Sequence, residues 1–185
     1  QNVVGATLGI VGFGRIGRKL AHMASGFDMT LLVNARHEDP EAAATHNATY
    51  VPLDELLRRS DFVSLNVALT PETHHMIGAR ELALMKPTAV LVNAARGRVV
   101  DTDALLAALQ NGTITAAGLD VSDPEPLPAD HPLVHLPNCV IAPHIASATV
   151  EARTRMATMA ARNLVAVLHG TRPEAIINPA VLGAR

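Results

Sequence analysis

Gly12-Phe13-Gly14-Arg15-Ile16-Gly17 is the first stretch of the chain whose residue types and spacing point to chemistry. It follows the apolar run Leu8-Gly9-Ile10-Val11 and leads into a helical pattern. The first glycine permits a tight turn, the second lets backbone approach a pyrophosphate, and the third lets helix and strand pack closely. The helix N-terminus offers free N–H groups and a positive dipole end to the phosphates. Taken alone the pattern is weak, but a strand before it and a helix after it make it a dinucleotide signal. A second checkpoint closes the next apolar run, Thr30 to His37. NAD sites usually carry Asp or Glu here to bind the ribose 2′-hydroxyl, whereas this chain has Ala35-Arg36-His37 and no carboxylate before Glu38. Losing the acid and gaining a guanidinium favours a 2′-phosphate, hence NADP, with NAD as the alternative. Three more segments set polar groups at the ends of apolar runs: Asn93 to Gly97, Gly118 to Pro126, and Ala142 to Ala146. Strand ends are where open α/β sheets hold ligands.

The elements that must position these groups are legible as short apolar runs at Leu8–Val11, Leu31–Val33, Phe62–Val67, Ala89–Val92, Ala116–Leu119 and Val140–Ala142. Such continuous runs suit parallel strands covered on both faces. Between them the spacing predicts helices over Arg15–Ala24, Leu53–Arg59, Ala79–Met85 and Asp101–Gln110, and a last one from about Thr149 to His169. On that last helix, Met156 and Met159 with Leu164 and Val165 read as a core-facing stripe. Prolines at 124, 126, 128, 132 and 137 predict a long ordered loop. Alternating strands and helices give an α/β fold with a doubly wound parallel sheet, the Rossmann dinucleotide-binding arrangement. There is no repeat or low-complexity tract, and residues 1–185 read as one domain.

Composition narrows the classes further. Of 185 residues, 49% are apolar and only 17% charged, which excludes a disordered chain. The net charge of −2 excludes a strongly basic nucleic-acid or anionic-membrane binder. No apolar stretch is long enough to span a membrane. Cys139, the single cysteine, permits no internal disulfide and suits a reducing compartment, so a cytoplasmic location is expected. The start at Gln1, with no methionine or basic leader, reads as a fragment or processed chain. His131 and His135 have an i, i+4 spacing without an acidic third ligand, so no metal is expected. His74-His75 reads as a solvated loop.

In order, spacing and identity, the glycine turn and the three strand-end segments resemble the D-isomer-specific 2-hydroxyacid dehydrogenases. The likeness covers nearly the whole chain and is to that family's nucleotide-binding domain. Leu119-Asp120-Val121 through Pro124-Glu125-Pro126-Leu127-Pro128, then His131-Pro132-Leu133, is most similar to the glyoxylate/hydroxypyruvate reductases. The resemblance implies that Arg96 clamps the substrate carboxylate and polarises its carbonyl, as a planar guanidinium fork can. It implies that His144 is the acid in reduction and the base in oxidation. Glu125 would hydrogen-bond the imidazole, orient it and favour its protonated form. Asp120 would hold the nicotinamide carboxamide, and Ala68, Ala94 and Ala146 would line the dinucleotide. A substrate-covering domain, made mostly of residues before Gln1, is expected to be largely absent, with residues after about 170 returning toward it. A homodimer formed through this domain is expected too. Two other readings stay open: a dinucleotide-sensing module like the related corepressors, and another superfamily dehydrogenase such as a phosphite dehydrogenase.

Overall fold

Short runs of Val, Ile and Leu favour extended backbone, and here they form seven strands joined in one parallel sheet. The computed structural model describes residues 2–183, so the extreme ends of the 1–185 span lie outside the described residues. In chain order the elements are β1 (Thr7–Val11), α1 (Arg15–Ala24), β2 (Thr30–Asn34), α2 (Pro40–Thr45), β3 (Ala48–Tyr50), α3 (Leu53–Arg59) and β4 (Phe62–Leu65). They continue with α4 (Ala79–Leu84), β5 (Val90–Asn93), α5 (Thr102–Gln110), β6 (Ala116–Leu119), β7 (Cys139–Ile141) and α6 (Val150–Leu168). The strand order is β3-β2-β1-β4-β5-β6-β7, so the winding reverses between β1 and β4. That reversal opens a crevice beyond the carboxyl ends of the two strands.

Register decides what gathers at that edge. Val11 pairs with Asn34 and Leu65, Leu65 with Asn93, Asn93 with Leu119, and Leu119 with Ile141. Six strands therefore end level, and the residues just beyond them, from Gly12 and Ala35 to Asp120 and Ala142, form one row. Beneath the row lie two apolar layers. Leu56, Leu57, Leu82, Leu91 and Leu105 belong to one, and Ile10, Phe13, Ala21, Leu31 and Val33 to the other. Each fully buried Leu or Ile contributes roughly 1.5–3 kcal/mol relative to exposure.

Several elements differ from the sequence reading. The edge strand β3 and the short helix α2 were not anticipated, since three and six residues are too few to display a period. Inside the proline-rich loop, Pro132–His135 forms a 3-10 turn with proline at its first position, where a missing N–H costs nothing. The expected coverage of both sheet faces is incomplete, because Val92 is 37% and Val140 71% exposed. The core-facing stripe on α6 is a further correction. No residue of α6 is buried, and Met156, Leu164 and Val165 are more than half exposed. The chain divides into compact units at Gln1–His144 and Ile145–Arg185, and among its described residues the second forms no strand against which that stripe could pack.

Candidate active site

The glycine turn follows β1 at the reversal point. Gly12 has φ +97°, and a Cβ there would lie 2.7 Å from the Asn66 backbone, so the turn admits only glycine. A Cβ on Gly17 would lie 2.2 Å from the Gly12 carbonyl oxygen, which fixes the close approach of α1 to the turn. At Gly14 a Cβ would meet nothing within 4 Å, so the backbone is bare where a pyrophosphate would approach. No side chain caps α1, and its first turn holds no acid. Arg15 and Ile16 at that helix start are exposed, Ile16 to 70%. A bare, uncapped helix N-terminus beside glycine fits a dinucleotide phosphate. Ile16 also lines a hollow of about 450 Å³ with Ala68, Ala94 and Arg96.

At the end of β2, Ala35 is half-buried while Arg36 and His37 are exposed. Among the described residues no hydrogen bond or ion pair engages the Arg36 guanidinium. Sequence reasoning passed over Asp39, which pairs with Arg18 of α1 at 2.7 Å and accepts the Ala42 N–H that opens α2. These contacts, the helix N–H first and the guanidinium second, hold the Asp39 carboxyl below the usual carboxylate range.

Arg96 stands just past β5, on a loop organised by Asn93. The Asn93 side chain is buried, donating to the Arg96 carbonyl at 3.0 Å and accepting the Ala95 N–H at 3.0 Å. Gly97 is pressed so closely on the next loop that a Cβ would lie 1.9 Å from the Ser122 carbonyl oxygen. Arg98 pairs with Asp123 at 3.2 Å, and the Thr102 hydroxyl donates to the Asp123 carbonyl. The Arg96 loop is thus latched to the loop that carries Glu125. The exposed Arg96 guanidinium donates to the Ala95 carbonyl at 2.6 Å. Asn93 is visible in the sequence as a lone polar residue closing an apolar strand, yet nothing in the pattern assigns it a role.

His144 follows β7, with its backbone N–H donating to the carbonyl oxygens of Asp120 (2.9 Å) and Ala142 (3.0 Å). The Asp120 N–H in turn donates to the Asn93 carbonyl at 2.9 Å. One backbone relay therefore links the Arg96, Glu125 and His144 segments. His144 has φ +54°, a left-handed conformation that a side chain adopts at a cost of about 1–2 kcal/mol. Its Nδ1 lies 2.6 Å from Glu125 Oε1. An ionised carboxylate can only accept, so Nδ1 carries the proton and Nε2 is left for another partner. Glu125, Asp120 and His144 line one hollow of about 510 Å³, and the two paired side chains are 40% and 49% exposed. Arg96 lines the neighbouring hollow rather than this one. Ala146 lies in the second unit, in a turn closed by the Ala148 N–H to the Ile145 carbonyl. No group of three or more metal-ligating side chains occurs among the described residues.

A bare glycine turn at the reversal of a parallel sheet, with Arg, Glu and His on one edge, is the framework of a dinucleotide-binding domain. Residues 1–146 match the family described as D-isomer specific 2-hydroxyacid dehydrogenase, NAD binding domain, and the chain belongs to that family. A glyoxylate reductase of Thermococcus onnurineus is 53% identical over 184 residues, covering all of this chain and 55% of the relative. A glyoxylate/hydroxypyruvate reductase B of Citrobacter koseri is 54% identical, covering 96% of this chain and 55% of the relative. Among solved structures, the TT0316 protein of Thermus thermophilus superposes with a TM-score of 0.90 at 48% identity. That match covers 95% of this chain and 55% of the other. D-lactate dehydrogenase with NAD+ from Lactobacillus jensenii gives 0.87 at 32% identity, covering 96% and 57%. The chain thus spans about half the length of the relatives it matches.

Proposed function

We propose that the protein is an NADP-preferring reductase of small 2-oxo acids of the glyoxylate and hydroxypyruvate type. The observation that carries this reading is the Glu125–His144 pair, held at 2.6 Å on the strand-end edge it shares with Arg96. A bound dihydronicotinamide supplies the hydride. Arg96 grips the substrate carboxylate and draws electron density from the adjacent carbonyl. His144, with Nδ1 committed to Glu125, presents Nε2 and gives its proton to the oxygen as it becomes an alkoxide. Glu125 keeps the imidazole oriented through the 2.6 Å contact at Nδ1. Asp120 would accept from the nicotinamide carboxamide, and Ala68 and Ala94 would line the cofactor. The names of the relatives support the substrate class. We further propose a cytoplasmic homodimer formed through residues 1–185, whose remaining half closes over the substrate and receives the segment after about residue 170. The low charge content and single cysteine support this.

Cofactor choice is tested by calorimetry. Arg36 supplies a charge-assisted contact to a 2′-phosphate, worth roughly 1.5–3 kcal/mol, so NADP binds tenfold to over a hundredfold more tightly than NAD. Ala35→Asp combined with Arg36→Ala reverses that order. Wild type binding NAD at least as tightly as NADP would overturn the assignment.

The pairing of Glu125 with His144 is tested by Glu125→Ala, which removes the acceptor that Nδ1 faces at 2.6 Å and leaves the ring without its orienting partner. Turnover of a 2-oxo acid then falls while dinucleotide affinity stays near the wild-type value. Turnover equal to wild type would reject the coupling.

A further inference from the structure

The Ala35–Arg36–His37 corner is followed by a carboxylate that weighs against a 2′-phosphate. Asp39 lies only three residues beyond Arg36, so chain connectivity keeps the two Cα atoms within about 11 Å. That is close to the Debye length of about 8–10 Å at moderate salt. Asp39 cannot swing away. Its backbone N–H donates to the Tyr50 hydroxyl at 3.0 Å, Oδ1 accepts the Ala42 N–H, and Oδ2 takes the Arg18 guanidinium at 2.7 Å. Nor does it lose its charge at neutral pH, since its carboxyl is held below the usual carboxylate range.

Arg18 is fixed just as firmly from the other side. Its Nε donates to the Phe13 carbonyl inside the glycine turn at 3.1 Å, and its guanidinium lies 5.7 Å from the centre of the Phe13 ring. Phe13 meets Tyr50 edge-on at 6.0 Å, closing a ring of contacts from the glycine turn through Asp39 at the start of α2 to Tyr50 at the end of β3 and back. We propose that Arg18 is a specificity-determining residue: it neutralises Asp39 and so keeps the ribose end of the cofactor site receptive to a 2′-phosphate. This rests on the NADP reading of Arg36, and it assigns to a residue of the phosphate-binding helix a part in ribose recognition. NAD, which has a hydroxyl there, gains little from the neutralisation. A merely structural brace would affect both cofactors alike.

The test is calorimetric binding of NADP+ and NAD+ to the intact protein and to Arg18→Met, Asp39→Asn and the double variant. Arg18→Met exposes the carboxylate, so the NADP+ dissociation constant rises about threefold to tenfold while that for NAD+ moves less than about twofold. In the double variant the ratio returns to near the wild-type value. Raising salt shrinks the Arg18→Met effect. If Arg18→Met does not fold, Asp39→Asn decides alone. Asparagine caps α2 as well as aspartate does, and the ratio must shift toward NADP+. A ratio unmoved by Arg18→Met, or not restored in the double variant, overturns the proposal, as does an unchanged ratio in Asp39→Asn. A wild type that prefers NAD+ overturns the reading of Arg36 instead, because the proposal concerns the change in ratio from whichever starting value.

Discussion

Replacing His144 by alanine in the intact enzyme lowers the rate of 2-oxo acid reduction by about 10²–10⁴-fold and leaves dinucleotide affinity nearly unchanged. The separation of effects arises from where the ring sits. His144 shares its hollow with Glu125 and Asp120, beyond β7, while the glycine turn follows β1 at the sheet reversal. The backbone N–H of residue 144 donates to the Asp120 and Ala142 carbonyls whatever the side chain, so alanine keeps the loop anchored. Removing a positive-φ histidine in favour of a smaller residue adds no clash. What disappears is the imidazole proposed to donate the proton. Stopped-flow measurement of the hydride step, beside a cofactor titration, separates the two. A variant that loses cofactor affinity and turnover in equal proportion would make His144 a structural residue.

The 185-residue chain by itself binds NADP(H) but reduces glyoxylate or hydroxypyruvate at least about 10³-fold more slowly than the intact enzyme. The relatives it matches are nearly twice its length. The Glu125–His144 pair is 40% and 49% exposed, and Arg96 is exposed as well. In such an open site a guanidinium binds a carboxylate weakly, because water competes for both partners. Positioning alone can be worth roughly 7–11 kcal/mol, and exclusion of water strengthens every charge interaction inside a closed site. Three well-placed side chains do not offset that loss. Turnover by the chain approaching that of the intact enzyme would mean that the other half contributes little to catalysis.

How much of this was readable in the sequence depended on the range of the interaction. The strands of the sheet interior were legible because burial on both faces demands unbroken apolar runs, and the glycine turn because its backbone excludes a side chain at Gly12 and Gly17, five residues apart. Arg96, Asp120 and His144 could be placed on one edge because each follows such a run. The level register that aligns them is a property of the assembled sheet, and no local pattern encodes it. Asp39–Arg18 was invisible for a related reason: the partners are 21 residues apart, and only the β1–β2 pairing brings them together. Asn93 looked like a strand terminus, and its grip on the Arg96 loop needed coordinates. The α6 stripe misled because an amphipathic pattern reports that a face is to be covered, not by what. Among the described residues of the second unit, nothing buries Met156, Leu164 or Val165.

Steady-state oxidation of NADPH by the intact protein in the presence of glyoxylate or hydroxypyruvate tests the proposed reductase activity most directly. Many turnovers per site are expected, lowered about 10²–10⁴-fold by His144→Ala. Tight dinucleotide binding with no turnover of either 2-oxo acid would contradict it and leave the Arg96, Glu125 and His144 edge as part of a nucleotide sensor.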